Sequence, residues 1–433
     1  MSTAGKLTKN FGALSIIQVA NFLIPFLVLP VITRVIGKDN FGLFNFLTAV
    51  ITYFVILINY GFDYTATRTI ARNKDNETVV NEVFSGVFFA RLWLLLVSTV
   101  LFIVLLFTMP QMRDEAFVSI LCFVTCIANV FMPNWLFQGM EQLQKAAIWN
   151  VVIKLVCFTA MVIFIREKRD YWVYALFSSL SQLLAGVALF IYAFRRFHIR
   201  LLWVPLKKVL QLLHNDRAVF ISTLMINLYT NSNIVILGLM KSKSEVGVFA
   251  ASAKIVSITQ MVMLMPLSQT LFPHIGRSFA IARENGVTEV KKIFPLVTTL
   301  ALGISIALFM GAPVLPLFFG EEFEQSIPVL RIMAIAPFIV SISNLLGTQV
   351  LLNLKMDKAF LLMSIAGSVI CVGLNMLFTP VWSYYGTALA WVLTEVLITT
   401  GMAMIIYRQG LRLLDKQYWN VNWLLAAVGK LKR

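Results

Sequence analysis

Charged residues are scarce in this sequence. Asp, Glu, Lys and Arg make up 13% of the 433 residues, whereas hydrophobic residues make up 59% and the mean hydropathy is +0.83. A water-soluble domain is usually about a quarter charged. Because so much apolar surface cannot be buried within one globule of this length, the composition excludes an ordinary soluble domain and indicates an integral membrane protein.

Cysteine and histidine are also scarce and scattered. The cysteines Cys122, Cys126, Cys157 and Cys371 lie in apolar runs without CxxC spacing, so we predict neither a disulfide framework nor a zinc site. The sequence has no G-x-x-x-x-G-K-[ST] loop and no G-x-G-x-x-G, which argues against ATP-driven pumping within this chain. No loop is long enough for a catalytic domain. We therefore expect no enzyme activity, no cofactor and no bound metal.

Acidic residues are fewer than basic ones, and the formal net charge is +16. In a soluble protein this charge would suggest nucleic acid as a partner. In a membrane protein it is better explained by cytoplasmic loops that face anionic lipid. We expect membrane lipid, and no nucleic acid, as a partner.

Crossing the bilayer as a helix takes roughly 20 apolar residues. Twelve segments meet this requirement: 11–32, 42–62, 83–108, 116–137, 145–165, 171–194, 218–239, 247–275, 293–319, 327–353, 359–380 and 385–407. The first is too long and has the wrong exit for a signal peptide, so we interpret it as a retained helix. The sequence therefore predicts an all-α integral membrane protein with about twelve transmembrane helices.

The basic residues predict the orientation. With both termini in the cytoplasm, the cytoplasmic segments hold 24 Lys and Arg residues against 8 in the outer loops. This bias follows the positive-inside rule and favours cytoplasmic N- and C-termini.

The longest connection divides the predicted spans into six plus six. It is the basic segment 195–217, which would link an N-terminal bundle (1–194) to a C-terminal bundle (218–407), followed by a basic cytoplasmic tail (408–433). An ordinary amphipathic loop at the membrane surface is the alternative interpretation of this segment. Short similarities at equivalent positions of the two halves favour an internal repeat of the kind found in transporters.

Apart from Lys145 and His274 at the very ends of their spans, the predicted spans contain five acidic or basic residues, four of them basic: Arg91, Lys154, Lys254, Arg331 and Glu395. A central Arg or Lys costs roughly 2.5–3.5 kcal/mol on insertion scales, so such residues normally face a bundle interior or a hydrated cavity. The excess of bases favours an anionic substrate such as a phosphate or diphosphate head group.

Depth and neighbours distinguish these residues. Lys154 lies near the predicted midplane with Asn150 one helical turn away, and we expect it to meet the substrate; a buried pair with Glu395 is the alternative. Arg331 is close enough to the outer surface for its side chain to reach water, so it is a weaker candidate, as is Arg34.

Polar side chains supply the remaining candidates. Glu395 and Asp63 are candidate coupling acids. Asn150 and Gln260 are candidates for contacts with sugar hydroxyls, although many such amides only join helices to one another.

Several motifs together resemble a known family. They are "TRVIGKDNFGLFNF" (33–46), "NYGFDYTATRTIA" (59–71), "NWLFQGMEQLQK" (134–145), "ISTLMINLYTNSNIVILG" (221–238) and "FIVSISNLLGTQVLL" (338–352). In this order they resemble the Wzx-type O-antigen and polysaccharide flippases of the polysaccharide transporter family.

The resemblance implies a MATE-like fold of the multidrug/oligosaccharidyl-lipid/polysaccharide (MOP) exporter superfamily, with two six-helix bundles around a central cavity. It implies that undecaprenyl-diphosphate-linked repeat units move from the cytoplasmic to the periplasmic leaflet of the bacterial inner membrane by alternating access. Basic cavity residues of the family suggest Arg91, Lys154 and Lys254 as the diphosphate-binding candidates. A polysaccharide polymerase and a chain-length regulator are the implied protein partners.

Other classes of function stay open from the sequence. One is a MATE-like antiporter for drugs or small solutes, and another is a membrane polysaccharide polymerase. A glycan polymerase usually has a sizeable extramembrane loop, which this sequence lacks.

Overall fold

The computed structural model describes the backbone of residues 3–411, 413 and 415–419, and the side chains of these residues except 3–24, 265–270, 272–274 and 416. Positions 412, 414 and 420–433 of the predicted basic tail lie outside the described residues. The chain forms two compact units, Met1–Asn227 and Leu228–Arg433, which are called here the N-terminal and C-terminal units.

Regular structure in the described part of the chain is helical throughout, with no strand. The N-terminal unit holds eight complete α-helices: α1 (Thr3–Asn59), α2 (Phe62–Arg72), α3 (Glu77–Thr108), α4 (Pro110–Arg113), α5 (Ala116–Val130), α6 (Asn134–Gly139), α7 (Leu143–Phe164) and α8 (Tyr171–Phe197). A 3-10 turn, Lys168–Asp170, precedes α8. The boundary between the units falls inside α9 (Leu206–Met240).

The C-terminal unit continues with six further α-helices: α10 (Lys243–Ile281), α11 (Arg283–Gly311), α12 (Leu315–Phe319), α13 (Ser326–Met333), α14 (Ala336–Asn344) and α15 (Asp357–Arg408). Shorter helical turns connect them: the 3-10 turns Ala312–Val314, Glu321–Phe323 and Lys416–Tyr418, and a π-helix at Leu345–Leu351.

Ten helical segments of the described chain are long and apolar enough to cross a membrane. Two helices each contain a pair of predicted spans. The 57 residues of α1 hold the first span and most of the second, and their backbone leaves the helical region at Gly37 (φ 77°, ψ 174°). The 52 residues of α15 hold the last two, with a break at Ser383 (φ 50°, ψ −131°). The prediction of an all-α protein with about twelve membrane-crossing helices is confirmed.

The two breaks have different local causes. Gly37 adopts a positive φ that glycine reaches without steric cost. Ser383 has a side chain at such a position, but its hydroxyl donates a hydrogen bond to the Glu245 carboxylate. The same carboxylate accepts hydrogen bonds from the backbone N–H and hydroxyl of Ser242, at 2.9 and 2.8 Å, in a capping box at the start of α10. The break in α15 is therefore held against the first turn of α10.

The predicted linker 195–217 is partly helical. Residues 199–205 have no regular structure, and α9 begins at Leu206 and runs without a break through the predicted seventh span. The irregular stretch is tied to α3, because the backbone N–H groups of Arg200 and Leu202 donate to the side chains of Asn81 and Ser85, each at 2.9 Å.

The motif "WLFQG" forms most of α6 and packs against α2. Trp135 and Phe137 are buried, and the Thr67 hydroxyl on α2 donates a hydrogen bond to the Trp135 carbonyl at 3.1 Å. A Cβ atom at Gly139 would lie 2.7 Å from the side chain of Ile70. Glycine is thus needed because the two helices approach too closely for any side chain at this position.

We predict that Gly139→Ala destabilises the protein by roughly 1–3 kcal/mol, because the added methyl group overpacks the contact with Ile70. Thermal unfolding of the purified protein in detergent measures the effect. The matched control is Gly303→Ala on α11, where an added Cβ has no neighbour within 4 Å. Equal unfolding temperatures for the two variants would show that α2 and α6 are not closely packed.

Candidate functional site

Arg91 lies at the centre of a buried network in the N-terminal unit. Only 2% of its side chain is exposed. One terminal nitrogen, Nη1, donates to the carbonyl oxygens of Asn129 (3.0 Å) and Met132 (2.8 Å), and the other, Nη2, pairs with the Asp63 carboxylate at 3.2 Å. This guanidinium therefore joins α2, α3 and the end of α5.

Pro133 explains why those carbonyls are available. In a continuous helix the Asn129 carbonyl would accept the N–H of residue 133, but proline has none. The N–H of Leu136 bonds to the Pro133 carbonyl at 3.0 Å and does not reach Met132. The Asn129 carbonyl also accepts the N–H of Met132 at 3.3 Å. The Arg91 guanidinium therefore adds a second hydrogen bond to that carbonyl and donates to the Met132 carbonyl, which stabilises the break because unpaired backbone groups are expensive in a membrane.

Arg91 and Asp63 were both predicted from the sequence as site residues, one for the diphosphate and one for coupling. The structure brings them together in an ion pair in which Arg91 is buried and the Asp63 side chain is 48% exposed. This arrangement gives Arg91 a clear structural role. A direct contact of either group with substrate stays a prediction.

Lys154 is half-buried on α7. Its neighbours toward the interior of the N-terminal unit are the buried side chains of Cys157, Phe158 and Met161, and the opposite face of the helix is apolar and exposed. Asn150, one turn earlier, donates to the carbonyl of Ala146 at 3.1 Å and is half-buried as well. The predicted pair thus shares one face of a helix whose surroundings are mostly apolar.

Lys254 is half-buried on α10 in the C-terminal unit. Beside it, Ser252 donates to the carbonyl of Ser326, and Ser326 donates to the carbonyl of Val248, both at 2.9 Å. These reciprocal bonds hold α10 against α13. Among the described residues of this unit, no ion pair with Lys254 is present, and its contact with a substrate stays a prediction.

The two weaker basic candidates lie at the surface. The Arg331 side chain is exposed, and its guanidinium lies 5.6 Å from the centre of the Phe309 ring, in a cation–π contact. Arg34 is exposed on α1, three residues before the break at Gly37.

Glu395 is buried on the second half of α15, with 6% of its surface exposed. Gln260 is half-buried on α10, and its amide nitrogen has no hydrogen-bond partner in the described structure. Gln349 was not among the selected site residues. It lies in the π-helix with 1% exposure, and neither of its amide atoms has a partner among the described residues.

A chain of buried polar groups joins α15 to α9. The Asn233 side-chain oxygen accepts from the Asn375 amide at 2.8 Å and from the Cys371 thiol at 3.5 Å. The Thr379 hydroxyl donates to Asn375 at 3.4 Å and lies 3.0 Å from the Thr387 hydroxyl. A sequence signal existed, because Cys371, Asn375, Thr379, Ser383 and Thr387 recur every four residues within an apolar stretch.

No metal-binding group of three or more His, Cys, Asp or Glu side chains occurs in the described part of the chain. The candidate ionisable groups lie on separate helices, and two of them, Arg91 on α3 and Asp63 on α2, form an ion pair.

The fold is that of known membrane exporters. A multidrug resistance MATE family transporter of the MOP superfamily, in an inward-facing conformation, superposes with a TM-score of 0.69, 14% identity, and coverage of 90% of this chain and 94% of that one. The lipid II flippase MurJ, in an inward closed conformation, superposes with a TM-score of 0.69 and 11% sequence identity. This superposition covers 91% of this chain and 87% of that one. The protein is a multi-pass membrane protein with the fold shared by these two.

The family is shown by the sequence itself. Residues 7–279 match the family described as polysaccharide biosynthesis protein, and the chain belongs to that family. Two relatives are provisionally named as O-antigen transporters. One, from Escherichia coli (strain K12), is 29% identical over 92% of this chain and 96% of its own length. The other, from Shigella dysenteriae, is 24% identical over 92% of this chain and 98% of its own length.

We predict that Arg91→Gln lowers the free energy of unfolding by roughly 3–5 kcal/mol, because it removes a buried partner from a network. Asp63→Asn should cost about 1 kcal/mol or less, since Asp63 is half exposed and Arg91 keeps both carbonyl acceptors. Thermal unfolding of each variant in detergent provides the comparison. Equal losses would show that the ion pair, rather than the two carbonyl bonds, dominates the contribution of Arg91.

Proposed function

We propose that this protein moves a lipid-diphosphate-linked oligosaccharide, an O-antigen or similar repeat unit, from the cytoplasmic to the periplasmic leaflet of the bacterial inner membrane. The observation that carries the proposal is a half-buried lysine in a membrane helix of each unit, Lys154 and Lys254. Membership of the polysaccharide biosynthesis protein family and two relatives named for O-antigen transport support it.

The physical task explains why lysines are useful there. Moving an unshielded diphosphate through hydrocarbon would cost tens of kcal/mol in a Born estimate. Ammonium groups beside a hydrated path offset much of that cost by charge-assisted hydrogen bonds to the phosphate oxygens. The lipid tail can stay in the hydrocarbon while the head group crosses.

The remaining site residues have supporting roles in this proposal. Asn150 and Gln260 would contact sugar hydroxyls, and Arg91, Arg331 and Arg34 would add positive potential along the path. Glu395 and Asp63 would couple transport to protons. Bundles 1–194 and 218–407, joined by the linker 195–217, would expose the substrate-binding groups to each side of the membrane in turn, with both chain termini in the cytoplasm.

The chain is a transporter and not an enzyme, consistent with the names of both relatives. A polysaccharide polymerase and a chain-length regulator would receive the translocated unit as downstream partners. A MATE-like antiporter would instead change drug resistance and leave surface glycan normal when the gene is deleted. A polymerase would leave single repeat units on the outer leaflet of the deletion strain.

We predict that Lys154→Gln and Lys254→Gln each reduce translocation of lipid-linked units about tenfold or more, because each removes a charge-assisted hydrogen bond. Surface glycan and the sidedness of lipid-linked units are measured in a deletion strain with matched expression. Lys154→Arg should retain more activity than Lys154→Gln, since it keeps the positive charge. Lys74→Gln, in a loop outside the membrane, is the control.

Normal surface glycan in both Gln variants, at equal protein levels, would contradict the role of these lysines. Units trapped on the cytoplasmic face would support it. A loss of glycan with units already on the outer face would instead indicate a later step and contradict the proposed transport.

A second prediction concerns the energy source. Outward movement of about two negative charges across roughly 100 mV, inside negative, is favourable by about 4–5 kcal/mol. We expect collapse of the potential in sealed vesicles with an ionophore to slow transport, at constant pH on both sides. An unchanged rate would exclude the membrane potential as the driving force.

A further inference from the structure

A pocket of about 440 Å³ opens in the N-terminal unit, and Lys154 is not among its lining residues. Its walls come from α2, the first turns of α3, residues 202–204 and the start of α9. This volume lies within the range of about 300–1,000 Å³ typical of pockets that bind small molecules. Its polar and aromatic lining residues include Thr65, Thr69, Glu82, Trp203, Lys208 and Asp216.

Asp216 is the most informative of these side chains. Its exposed fraction is 9%, and its Oδ2 atom accepts a hydrogen bond from the Thr65 hydroxyl at 2.9 Å. An ionised carboxylate offers about four acceptor sites. The carboxylate is therefore fixed in position at the pocket wall with acceptor capacity left for the hydrogen-bond donors of a ligand.

Trp203 supplies an apolar surface at the same pocket. Its ring lies 5.2 Å from that of Phe89, with an angle of 72° between the planes, in an edge-to-face contact. The side chain is nevertheless 81% exposed. A large, oriented and exposed aromatic ring beside a buried carboxylate is a suitable arrangement for a ligand with both an apolar face and hydroxyl groups.

The charges of the pocket restrict the ligand further. The carboxylates of Glu82 and Asp216 outnumber the ammonium group of Lys208, so a diphosphate would be repelled. A lipid tail would leave the carboxylates and threonine hydroxyls without partners. A sugar has hydroxyl donors for the carboxylates and a C–H face that packs on an aromatic ring.

The location of the pocket fits recognition of the substrate before it is moved across the membrane. The pocket lies between the end of the second predicted span and the beginnings of the third and seventh predicted spans. These span ends are all on the side predicted to be cytoplasmic. A lipid-linked unit that is to be moved outward must be recognised from that side. Exposed arginines on α2, Arg68 and Arg72, would favour the approach of the anionic carrier.

We propose that this pocket binds the sugar part of the lipid-linked substrate at the cytoplasmic face, with Asp216 accepting sugar hydroxyls and Trp203 packing on a sugar ring. This inference rests on the proposed function. It separates recognition of the sugars, which belongs to the pocket, from recognition of the diphosphate, which belongs to the lysines.

Gly86 provides a direct test. It lines the pocket, and a Cβ atom there would meet only the side chain of Leu212, at 3.7 Å, an ordinary contact distance. Gly86→Leu should therefore add bulk on the pocket side of α3, and thermal unfolding of the variant checks that the fold is kept. Asp216→Asn tests the acceptor role with little change in volume.

The full-length protein is reconstituted in sealed vesicles with two lipid probes. One is undecaprenyl diphosphate with the complete repeat unit of the source cell, and the other carries only the first sugar. Initial rates of translocation are measured by cleavage with an added, membrane-impermeant diphosphatase. Gly303→Leu, at an exposed position of α11 with open space around it, is the matched control.

We expect Gly86→Leu and Asp216→Asn to slow translocation of the probe with the complete repeat unit roughly tenfold. Translocation of the single-sugar probe should slow less than twofold, because it has fewer sugar hydroxyls to lose hydrogen bonds. Equal slowing of both probes, or no slowing of either, would overturn the sugar assignment. Thermal unfolding of each variant identifies a loss of fold. Failure of the unmodified protein to move either probe would instead contradict the proposed function.

Discussion

Satisfying backbone hydrogen bonds inside a membrane is the constraint on which this structure depends, and Arg91 shows how it is met. α5 ends shortly before Pro133, and the buried guanidinium of Arg91 donates to the carbonyl groups of Asn129 and Met132 at this break while pairing with Asp63. An interruption in a membrane helix is tolerable only when such partners are present. The broken segment can then place α6, with its buried "WLFQG" motif, against α2.

The C-terminal unit stabilises its break with side-chain hydrogen bonds. Ser383 lies at the break in α15 and bonds to Glu245, whose carboxylate also caps α10. Across this break, hydrogen bonds link Thr387, Thr379, Asn375 and Asn233. The half-buried lysines on α7 and α10 place positive charge in membrane helices, which is costly on insertion scales and makes them candidates for contact with an anionic substrate.

The candidate groups separate into two chemical types that suit the two ends of a lipid-linked sugar. Ammonium groups on α7 and α10 match the phosphate oxygens, which need positive charge in apolar surroundings. The pocket around Asp216 and Trp203 offers acceptors and an aromatic face, which match hydroxyl groups and the apolar side of a ring. Dividing recognition in this way would let one transporter require a particular sugar unit while the diphosphate is handled by general electrostatics.

The sequence by itself determined the membrane location, the all-α class and about twelve crossing segments, because apolar run length is a local property set by bilayer thickness. It also indicated the family through motifs such as "WLFQG". Tertiary structure alone decided that Arg91 pairs with Asp63, since residues 28 positions apart meet only when α2 and α3 pack together. It also decided that Asp216 and Thr65, 151 positions apart, line one pocket. Side-chain partners across such separations depend on helix packing, which local hydropathy does not encode.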